Sequence, residues 1–220
     1  MKILFVGKKY DKYAEKASEY LMQTFPESVV FFVSREDKIP EKIFNWRGDY
    51  IFSYLSPWII PKKILESAKS HCINWHPGPP EYPGIGCTNF AIYNKENRFG
   101  ITCHHMLEKV DTGSIIEVRE FPVLDTDSVY SITQKCYSNI ICSFYDIVDL
   151  IRAGKKIPKS DLSWTKKPYT RKELNNLSRI DSSMSIEESE RRIKATTYDK
   201  PWAFVEVNGR RYVLENNKDE

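Results

Sequence analysis

Apolar residues along the first half of the chain follow two alternating patterns. Short continuous apolar runs, such as residues 3–6, are typical of strands that are buried on both faces of a parallel sheet. Residues 11–24 instead carry apolar side chains at helical spacing, and Pro61 suits the first turn of a further helix. Strands that alternate with helices predict an α/β fold with a doubly wound, mostly parallel sheet. The other elements predicted in this half are strands at 28–33, 50–55 and 72–75 and a short helix at 41–46.

A long helix is the clearest element of the second half. Ser128 provides its N-cap, an apolar stripe runs from Ile132 to Ile151, and Gly154 ends it. Because the stripe recurs at helical spacing, it predicts a face that packs on the core rather than a cofactor site. The same half contains a predicted helix at 89–93 and predicted strands at 99–107 and 115–118.

Composition divides the chain into three parts. Residues 1–155 form the predicted catalytic core, and residues 156–184 are polar and predict an irregular connection that crosses the surface. In residues 185–220, a capping box at Ser185 opens a small helix, and an Asn-Gly pair at 208–209 forms the turn of a β-hairpin. A lone hairpin is marginally stable in water, so this C-terminal unit is predicted to build a homodimer.

Charge and cysteine content argue against several classes of protein. The chain has 220 residues, with 33 basic and 30 acidic side chains and a net charge of +3, so general nucleic-acid binding is not expected. No signal peptide is predicted, and no apolar stretch approaches the roughly 20 residues that a membrane-spanning helix needs. The five cysteines form no CxxC pair and indicate reduced packing residues of a cytoplasmic protein.

Residues 73–86 are the most informative stretch for function. The stretch begins as a strand and then meets Pro77 and further prolines, which forbid both a helix and a regular strand. Asn74 and His76 are two residues apart, so they share a face at the carboxyl end of the strand, where open α/β sheets bind ligands. An amide donor beside an imidazole can stabilise an oxyanion while the imidazole moves a proton.

Two other kinds of site are not favoured. Gly7 follows the first strand without a GxGxxG pattern, so a nicotinamide cofactor is not expected. All four histidines lie between positions 71 and 105, but no HxxxH or HxH spacing supports zinc, and no metal is expected. His104 and His105 are adjacent on a predicted strand, so they face opposite sides, and one of them is predicted to face the site.

The chain carries four short motifs in a fixed order: Asn74-x-His76-Pro77, Tyr82-Pro83-Gly84, Gly100-Ile101-Thr102, and the stretch from Asp111 to Ile116. Together they resemble the signature of the formyltransferases that use 10-formyltetrahydrofolate as formyl donor. The Tyr-Pro-Gly loop and the Cys-His-His-Met stretch at 103–106 are most similar to the sugar N-formyltransferases, which act on nucleotide-linked 4-amino-4,6-dideoxyhexoses. Tetrahydrofolate hydrolases share the core motifs and stay an alternative.

The resemblance implies a catalytic triad of Asn74, His76 and Asp111. Asn74 would hold the oxyanion that forms when an amine attacks the formyl carbon. His76 would stabilise the same oxygen or relay a proton, and Asp111 would orient and charge-balance the imidazole. The spacing leaves open whether His76 or Asp111 takes the proton of the amine.

The resemblance also implies where two small molecules bind. The folate is expected against a loop after the third strand and against a second stretch before Asp111. The folate residues are predicted to be Tyr54, Leu55, Ser56, Pro57, Trp58, His105, Met106 and Leu107. The residues predicted to bind the nucleotide sugar are Lys9, Tyr10, Pro77, Gly78, Tyr82, Pro83, Gly84, Tyr198 and Trp202.

The implied activity is formyl transfer to a dTDP-linked amino sugar, expected to be dTDP-4-amino-4,6-dideoxyglucose, for O-antigen or surface polysaccharide synthesis. One alternative is another folate-dependent formyltransferase that acts on glycinamide ribonucleotide or methionyl-tRNA. The tRNA enzyme needs a basic β-rich domain of about a hundred residues to hold its RNA, and this chain offers one hairpin. A second alternative is a non-catalytic binding module with the same fold, which the presence of all three triad residues disfavours.

Overall fold

A six-stranded sheet organises the fold. The computed structural model describes residues 1–200 and 202–214 of the chain. The strands of the sheet are β1 (Ile3–Lys8), β2 (Val29–Val33), β3 (Gly48–Tyr54), β4 (Ala68–His76), β5 (Arg98–His105) and β6 (Ile115–Pro122). They lie in the order β2-β1-β3-β4-β5-β6.

Seven helices connect or follow these strands within the described residues. They are α1 (Lys12–Thr24), α2 (Glu41–Phe44), α3 (Lys62–Leu65), α4 (Cys87–Tyr93), α5 (Val129–Arg152), α6 (Arg171–Ser178) and α7 (Ile186–Ala195). The predicted N-cap of the longest helix is confirmed, because Ser128 and Ser131 form a reciprocal capping box. The side chain of Asp11 caps α1 by accepting two backbone N–H groups.

The sheet changes direction at the pairing of β4 with β5. Strands β1 to β4 are parallel, whereas β5 is antiparallel to both β4 and β6. The predicted α/β class with a mostly parallel sheet is confirmed. The strands extend beyond the predicted apolar runs, and β4 begins at Ala68 rather than at 72, because backbone pairing continues where the side chains turn polar.

The main core lies between the sheet and the long helix α5. Phe144 of α5 is buried and packs edge-on against Phe5 and Phe52 of the sheet and close to the ring of Trp75. Burying one such side chain stabilises the fold by about 1.5–3 kcal/mol. Because Trp75 lies between the two predicted catalytic positions of β4, this packing fixes the strand that carries the site.

The prediction of an irregular surface connection at 156–184 is wrong. This segment contains α6 and a two-residue strand, β7 (Arg179–Ile180). Tyr169 lies in it and forms backbone hydrogen bonds with Pro83 and Ile85, while its ring stacks 4.0 Å from that of Phe90. The polar composition concealed these contacts, because they depend on backbone groups and on single aromatic rings.

The C-terminal unit contains the predicted helix and hairpin. Strands β8 (Phe204–Val207) and β9 (Arg210–Val213) form the hairpin, and β8 pairs with β7 in a three-stranded sheet. This unit also contacts the first domain. Asn89 of α4 donates to the carbonyl of Ala195, which is buried at the end of α7. Residues 215–220 of the predicted unit lie outside the described residues.

Two further observations concern the whole described chain. Within the described residues, no helix combines the length and the apolar character that crossing a bilayer requires. The cysteines are all free thiols.

Candidate active site

The predicted catalytic face of β4 is present at the carboxyl end of that strand. Asn74 and His76 both line one cavity, and the cross-strand partner of Asn74 on β5 is His104. The Nδ2 atom of Asn74 lies 3.0 Å from Nε2 of His104. The prediction that one of the two adjacent histidines faces the site is therefore confirmed, and that residue is His104.

Asp111 bonds both histidines through its two carboxylate oxygens. Its Oδ2 lies 3.2 Å from Nδ1 of His76, and its Oδ1 lies 3.2 Å from Nε2 of His104. Oδ2 also accepts the backbone N–H of Gly84 at 2.7 Å. We refer to His76, His104 and Asp111 as the His–Asp cluster; their exposed fractions are 4%, 2% and 5%.

The charge state of Asp111 follows from these contacts. Burial alone would raise the pKa of its carboxyl group, but His76, His104 and the Gly84 N–H outweigh burial and lower that pKa to about 2. Asp111 is therefore ionised at neutral pH. A carboxylate with so low a pKa is a weak base, so it balances charge in the cluster and does not take a proton from an amine.

The two histidines differ in how their ring nitrogens are engaged. Nε2 of His76 lies 2.8 Å from the carbonyl oxygen of Tyr82, which can only accept, so this nitrogen donates. Its Nδ1 lies against Oδ2 of Asp111, so both ring nitrogens face acceptors. For His104, Nδ1 donates to the carbonyl of His105 at 2.9 Å.

Nε2 of His104 has a partner in either protonation state. When it carries no proton, it accepts from the amide of Asn74, and when it is protonated, it donates to Asp111. A group that finds a partner before and after proton transfer can exchange a proton without leaving a buried polar atom unpaired. His104 is therefore better suited than His76 to accept a proton from a ligand in the cavity.

The turn that carries Asp111 is held in an uncommon conformation. Asp111 has φ +48°, a region that L side chains rarely adopt, and Leu55 on the facing loop has φ +52°. Two residues further, a Cβ on Gly113 would lie 1.7 Å from the carbonyl oxygen of His105, so only glycine fits. Such strain is found where a fold fixes functional groups in place.

A cavity of about 890 Å³ lies in front of these residues. This volume is in the upper part of the range of small-molecule sites. Many predicted ligand-binding residues line it, from both the folate set and the sugar-nucleotide set. They are Lys9, Leu55, Ser56, Pro57, Trp58, Pro77, Gly84, Met106, Leu107 and Trp202.

The structure places other predicted ligand residues outside the cavity lining. Tyr54 is fully buried, with its ring between Phe5 and Phe144, because it faces α5 rather than the ligand side. His105 faces away from the cluster and lies 4.8 Å from the ring of His71 in a neighbouring cavity of about 560 Å³. These two assignments to the folate site are corrected.

Several residues assigned to the nucleotide sugar also lie elsewhere. The ring of Tyr82 is buried and its hydroxyl donates to Glu96, so it acts on the site only through the carbonyl that His76 contacts. Tyr198 packs against Tyr130. The remaining residues that do not line the cavity are Tyr10, Gly78 and Pro83.

Sequence reasoning missed two arginines that line the cavity. Arg35 and Arg171 both line it, and neither forms an ion pair with a carboxylate of the described residues. Burial lowers the pKa of the Arg171 guanidinium, and the positive charge of Arg35 lowers it further. Two neighbouring guanidinium groups that form no ion pair are suited to hold an anion, and Lys9 lines the same cavity.

Among residues 1–200 and 202–214, no three or more His, Cys, Asp or Glu side chains are arranged so that they could hold a metal ion. The geometry around Asn74 is that of a site suited to acyl transfer. It contains an amide donor, a histidine that can exchange a proton and a carboxylate that balances charge.

Comparison with known proteins identifies the family. The family described as "Formyl transferase" matches residues 12–139, which is more than half of the chain. The chain therefore belongs to the formyl transferase family. The match includes β4, β5 and the turn that carries Asp111.

Individual relatives extend this comparison. A methionyl-tRNA formyltransferase from Geobacillus sp. is 32% identical over 125 residues, which cover 56% of this chain and 39% of that protein. The chain spans 30% to 55% of the length of such curated relatives. A sugar N-formyltransferase from Shewanella sp. has a similar fold, with TM-score 0.76, 18% identity, and coverage of 98% of this chain and 96% of that one.

A second solved structure was determined with ligands. It is an N-formyltransferase from Helicobacter canadensis in complex with folinic acid and dTDP-3-aminofucose. Its TM-score is 0.71 at 18% identity, and the match covers 96% of this chain and 86% of that one. At these identities, the two solved structures establish the fold.

Proposed function

We propose that the chain transfers a formyl group from 10-formyltetrahydrofolate to the amino group of a nucleotide-linked sugar, with dTDP-4-amino-4,6-dideoxyglucose as the expected acceptor. The observation that carries this proposal is the His–Asp cluster beside Asn74, all facing one large cavity. The expected product would serve O-antigen or surface polysaccharide synthesis.

The proposed reaction forms one C–N bond and breaks another. The lone pair of the sugar amine attacks the formyl carbon, and the carbonyl π electrons move to the oxygen. Asn74 is placed to donate an N–H to this developing oxyanion. As the oxyanion collapses, the bond from carbon to the folate nitrogen breaks, the nitrogen gains a proton, and the amine loses one.

We assign the proton of the amine to His104. Its Nε2 faces the cavity side of β5 beside Asn74, and its protonated form is stabilised by Asp111. Proton transfer to His104 also frees the amide N–H that Asn74 gave to the neutral imidazole. In this scheme proton removal and oxyanion stabilisation reinforce each other. His76, with both ring nitrogens on acceptors, stays fixed beside the reacting groups and does not take the proton.

Two segments suit the folate. The loop from Leu55 to Trp58 and the stretch at Met106 and Leu107 face the same cavity, and most of their side chains are apolar. A flat heteroaromatic ring with several hydrogen-bonding edges fits such a pocket of apolar walls and few polar groups.

The cationic residues that line the cavity suit a nucleoside diphosphate. Lys9, Arg35 and Arg171 provide cations for the phosphates, and the half-exposed indole of Trp202 provides a surface for a base. The overlap of this chain with sugar N-formyltransferases over nearly their full length supports the same acceptor class. Methionyl-tRNA stays the second candidate acceptor, because curated relatives of the chain carry that name.

A single assay tests the proposed function. The purified protein is mixed with 10-formyltetrahydrofolate, and formation of tetrahydrofolate is followed with separate acceptors. The panel holds dTDP-linked 3-amino and 4-amino dideoxyhexoses, glycinamide ribonucleotide, methionyl-tRNA and water alone. We expect turnover with a dTDP amino sugar only. Turnover with methionyl-tRNA or water would instead indicate the tRNA enzyme or a hydrolase, and no turnover would indicate a binding module.

Arg171→Ala is expected to raise KM for the nucleotide sugar about tenfold while kcat changes less than twofold. Loss of one charge-assisted contact to a phosphate costs about 1.5 kcal/mol, and that contact is equal in the ground and transition states. Steady-state kinetics at low salt provide the measurement. Lys172→Ala is the matched control, because Lys172 is the next residue of α6 and does not line the cavity. Equal effects of the two substitutions would contradict the phosphate role.

We also propose that the C-terminal unit forms a homodimer. Val207, Tyr212 and Val213 of the hairpin stay about half exposed although β8 pairs with β7. Light scattering at micromolar concentration is expected to give twice the chain mass for the wild type and a monomer for Tyr212→Lys, because a charge at a buried contact is costly. A wild-type monomer would show that the hairpin needs no second chain.

A further inference from the structure

The segment before α6 lies directly against the His–Asp cluster. The indole ring of Trp164 is perpendicular to the imidazole of His104 at a centroid distance of 5.0 Å, and it lies edge-on to His76 at 5.8 Å. Its Nε1 donates to the carbonyl of Gly113 at 2.8 Å. One side chain therefore packs on both histidines and bonds the turn that carries Asp111.

The backbone on both sides of Trp164 is fixed to the core. Ser160 donates its N–H to the carbonyl of Ile115 at 3.0 Å, and Thr165 donates to the carbonyl of Pro80 at 3.2 Å. Further along, Tyr169 pairs with the loop at Gly84, where a Cβ would lie 2.4 Å from the Tyr169 carbonyl oxygen. The indole is therefore held in place by its own segment and not only by the histidines.

Trp164 does not line the 890 Å³ cavity, so it covers the cluster from outside the ligand site. We propose that Trp164 is a positioning residue that fixes the orientation of His76 and His104 about Asp111 and keeps water from this side of the cluster. The expected effect of Trp164 on kcat rests on the proposed function. Its effect on the histidines can be measured without catalysis.

The surroundings of the cluster explain why this cover matters. Burial raises the pKa of the nearby Cys87 thiol to about 12, so that thiol is uncharged at neutral pH. The ammonium group of Lys166 lies over the ring of Tyr82 and not against the cluster. The side chain of His105 lines the neighbouring cavity on the other side of β5. The carboxylate of Asp111 is the anion that lies against the imidazoles of both His76 and His104. Water entering beside it would weaken both contacts, because their strength depends on a low local dielectric.

The test compares Trp164→Ala and Trp164→Phe with Leu162→Ala. Leu162 is an exposed apolar residue of the same segment, so its substitution controls for changes in the segment itself. Histidine-selective ¹⁵N NMR reads the four imidazoles of the chain directly. We expect Trp164→Ala to change the ring-nitrogen shifts of His76 and His104 and their pH dependence. The shifts of His71, which lies against His105 away from the indole, are expected to stay unchanged.

Kinetics provide the second measurement. Trp164→Ala is expected to lower kcat about 10-fold to 100-fold with little change in KM for either substrate, as is typical when reacting groups are misplaced by a fraction of an ångström. Trp164→Phe retains a ring against the imidazoles but lacks the N–H for Gly113, so a loss of about threefold to tenfold is expected. Leu162→Ala is expected to behave as wild type.

The outcomes separate this proposal from the proposed function. If the wild type transfers no formyl group, the NMR comparison still decides whether Trp164 positions the histidines. If a thermal unfolding curve shows that Trp164→Ala does not fold, the Trp164→Phe variant provides the test. Unchanged imidazole shifts together with wild-type kcat, in whichever of the two variants is folded, would overturn the proposal.

Discussion

Asn74→Ala is expected to lower kcat at least about 10²-fold while the chain folds normally. In the proposed reaction the amide of Asn74, which lines the cavity, donates to charge that exists only in the transition state, and removing one such donor typically costs about 10²–10³ in rate. KM for the folate is expected to change little. The measurement is steady-state kinetics together with a thermal unfolding curve.

The control for Asn74 is an asparagine whose amide serves only the fold. Asn139 of α5 donates to the carbonyl of Lys135 one turn earlier and does not line the cavity. Asn139→Ala should therefore retain wild-type kcat. The assignment of Asn74 to the oxyanion would be withdrawn if Asn74→Ala turned over within a few-fold of the wild type.

Asp111→Asn is expected to lower kcat at least about 10²-fold and also to weaken the fold at neutral pH. The substitution removes the anion that lies against both imidazoles, and the proposed proton transfer to His104 depends on that anion. Asp161→Asn, in an exposed part of the segment before α6, is the control.

The stability effect of Asp111 has a defined pH range. Its carboxyl pKa is lowered from 3.8 to about 2 in the folded chain, which corresponds to about 2 kcal/mol. Because the folded pKa is the lower one, this contribution is complete above the unfolded pKa and is lost as pH falls from about 4 to about 2. Urea unfolding of wild type and variant should differ by about 2 kcal/mol at pH 7 and converge across that range. A difference in unfolding free energy between wild type and variant that stays constant at all pH values would contradict this role of the Asp111 carboxylate.

Local sequence rules were sufficient to identify part of the site. Asn74 and His76 share a face because a strand has a period of two, and the prolines after them mark the end of that strand. The same rule predicts that only one of the adjacent residues His104 and His105 on β5 faces the site. Which of them faces Asn74 depends on the register of the antiparallel β4–β5 pair, and that register is a property of the pairing rather than of either strand.

The residues that sequence reasoning missed come from distant parts of the chain. Arg171 and Trp164 lie in a polar segment without a periodic pattern, and their positions depend on a few backbone hydrogen bonds to the loop at 80–85. The family resemblance implies that Tyr54 contacts the folate, but the position of Tyr54 in β3 directs its ring into the core. Which of these side chains face the cavity follows only from contacts between residues that are distant in the sequence.

The pairing of Asn74 with His104 across β4 and β5 has a consequence for the behaviour of the protein on heating. Both residues belong to buried parts of central strands, so separating them requires the sheet itself to open. Arg35 and Trp202 line the same cavity but are exposed and lie outside that sheet, so we expect their segments to open at a lower temperature. As temperature rises, the chain should therefore lose affinity for its acceptor first, and lose its chemical step only when the whole domain melts.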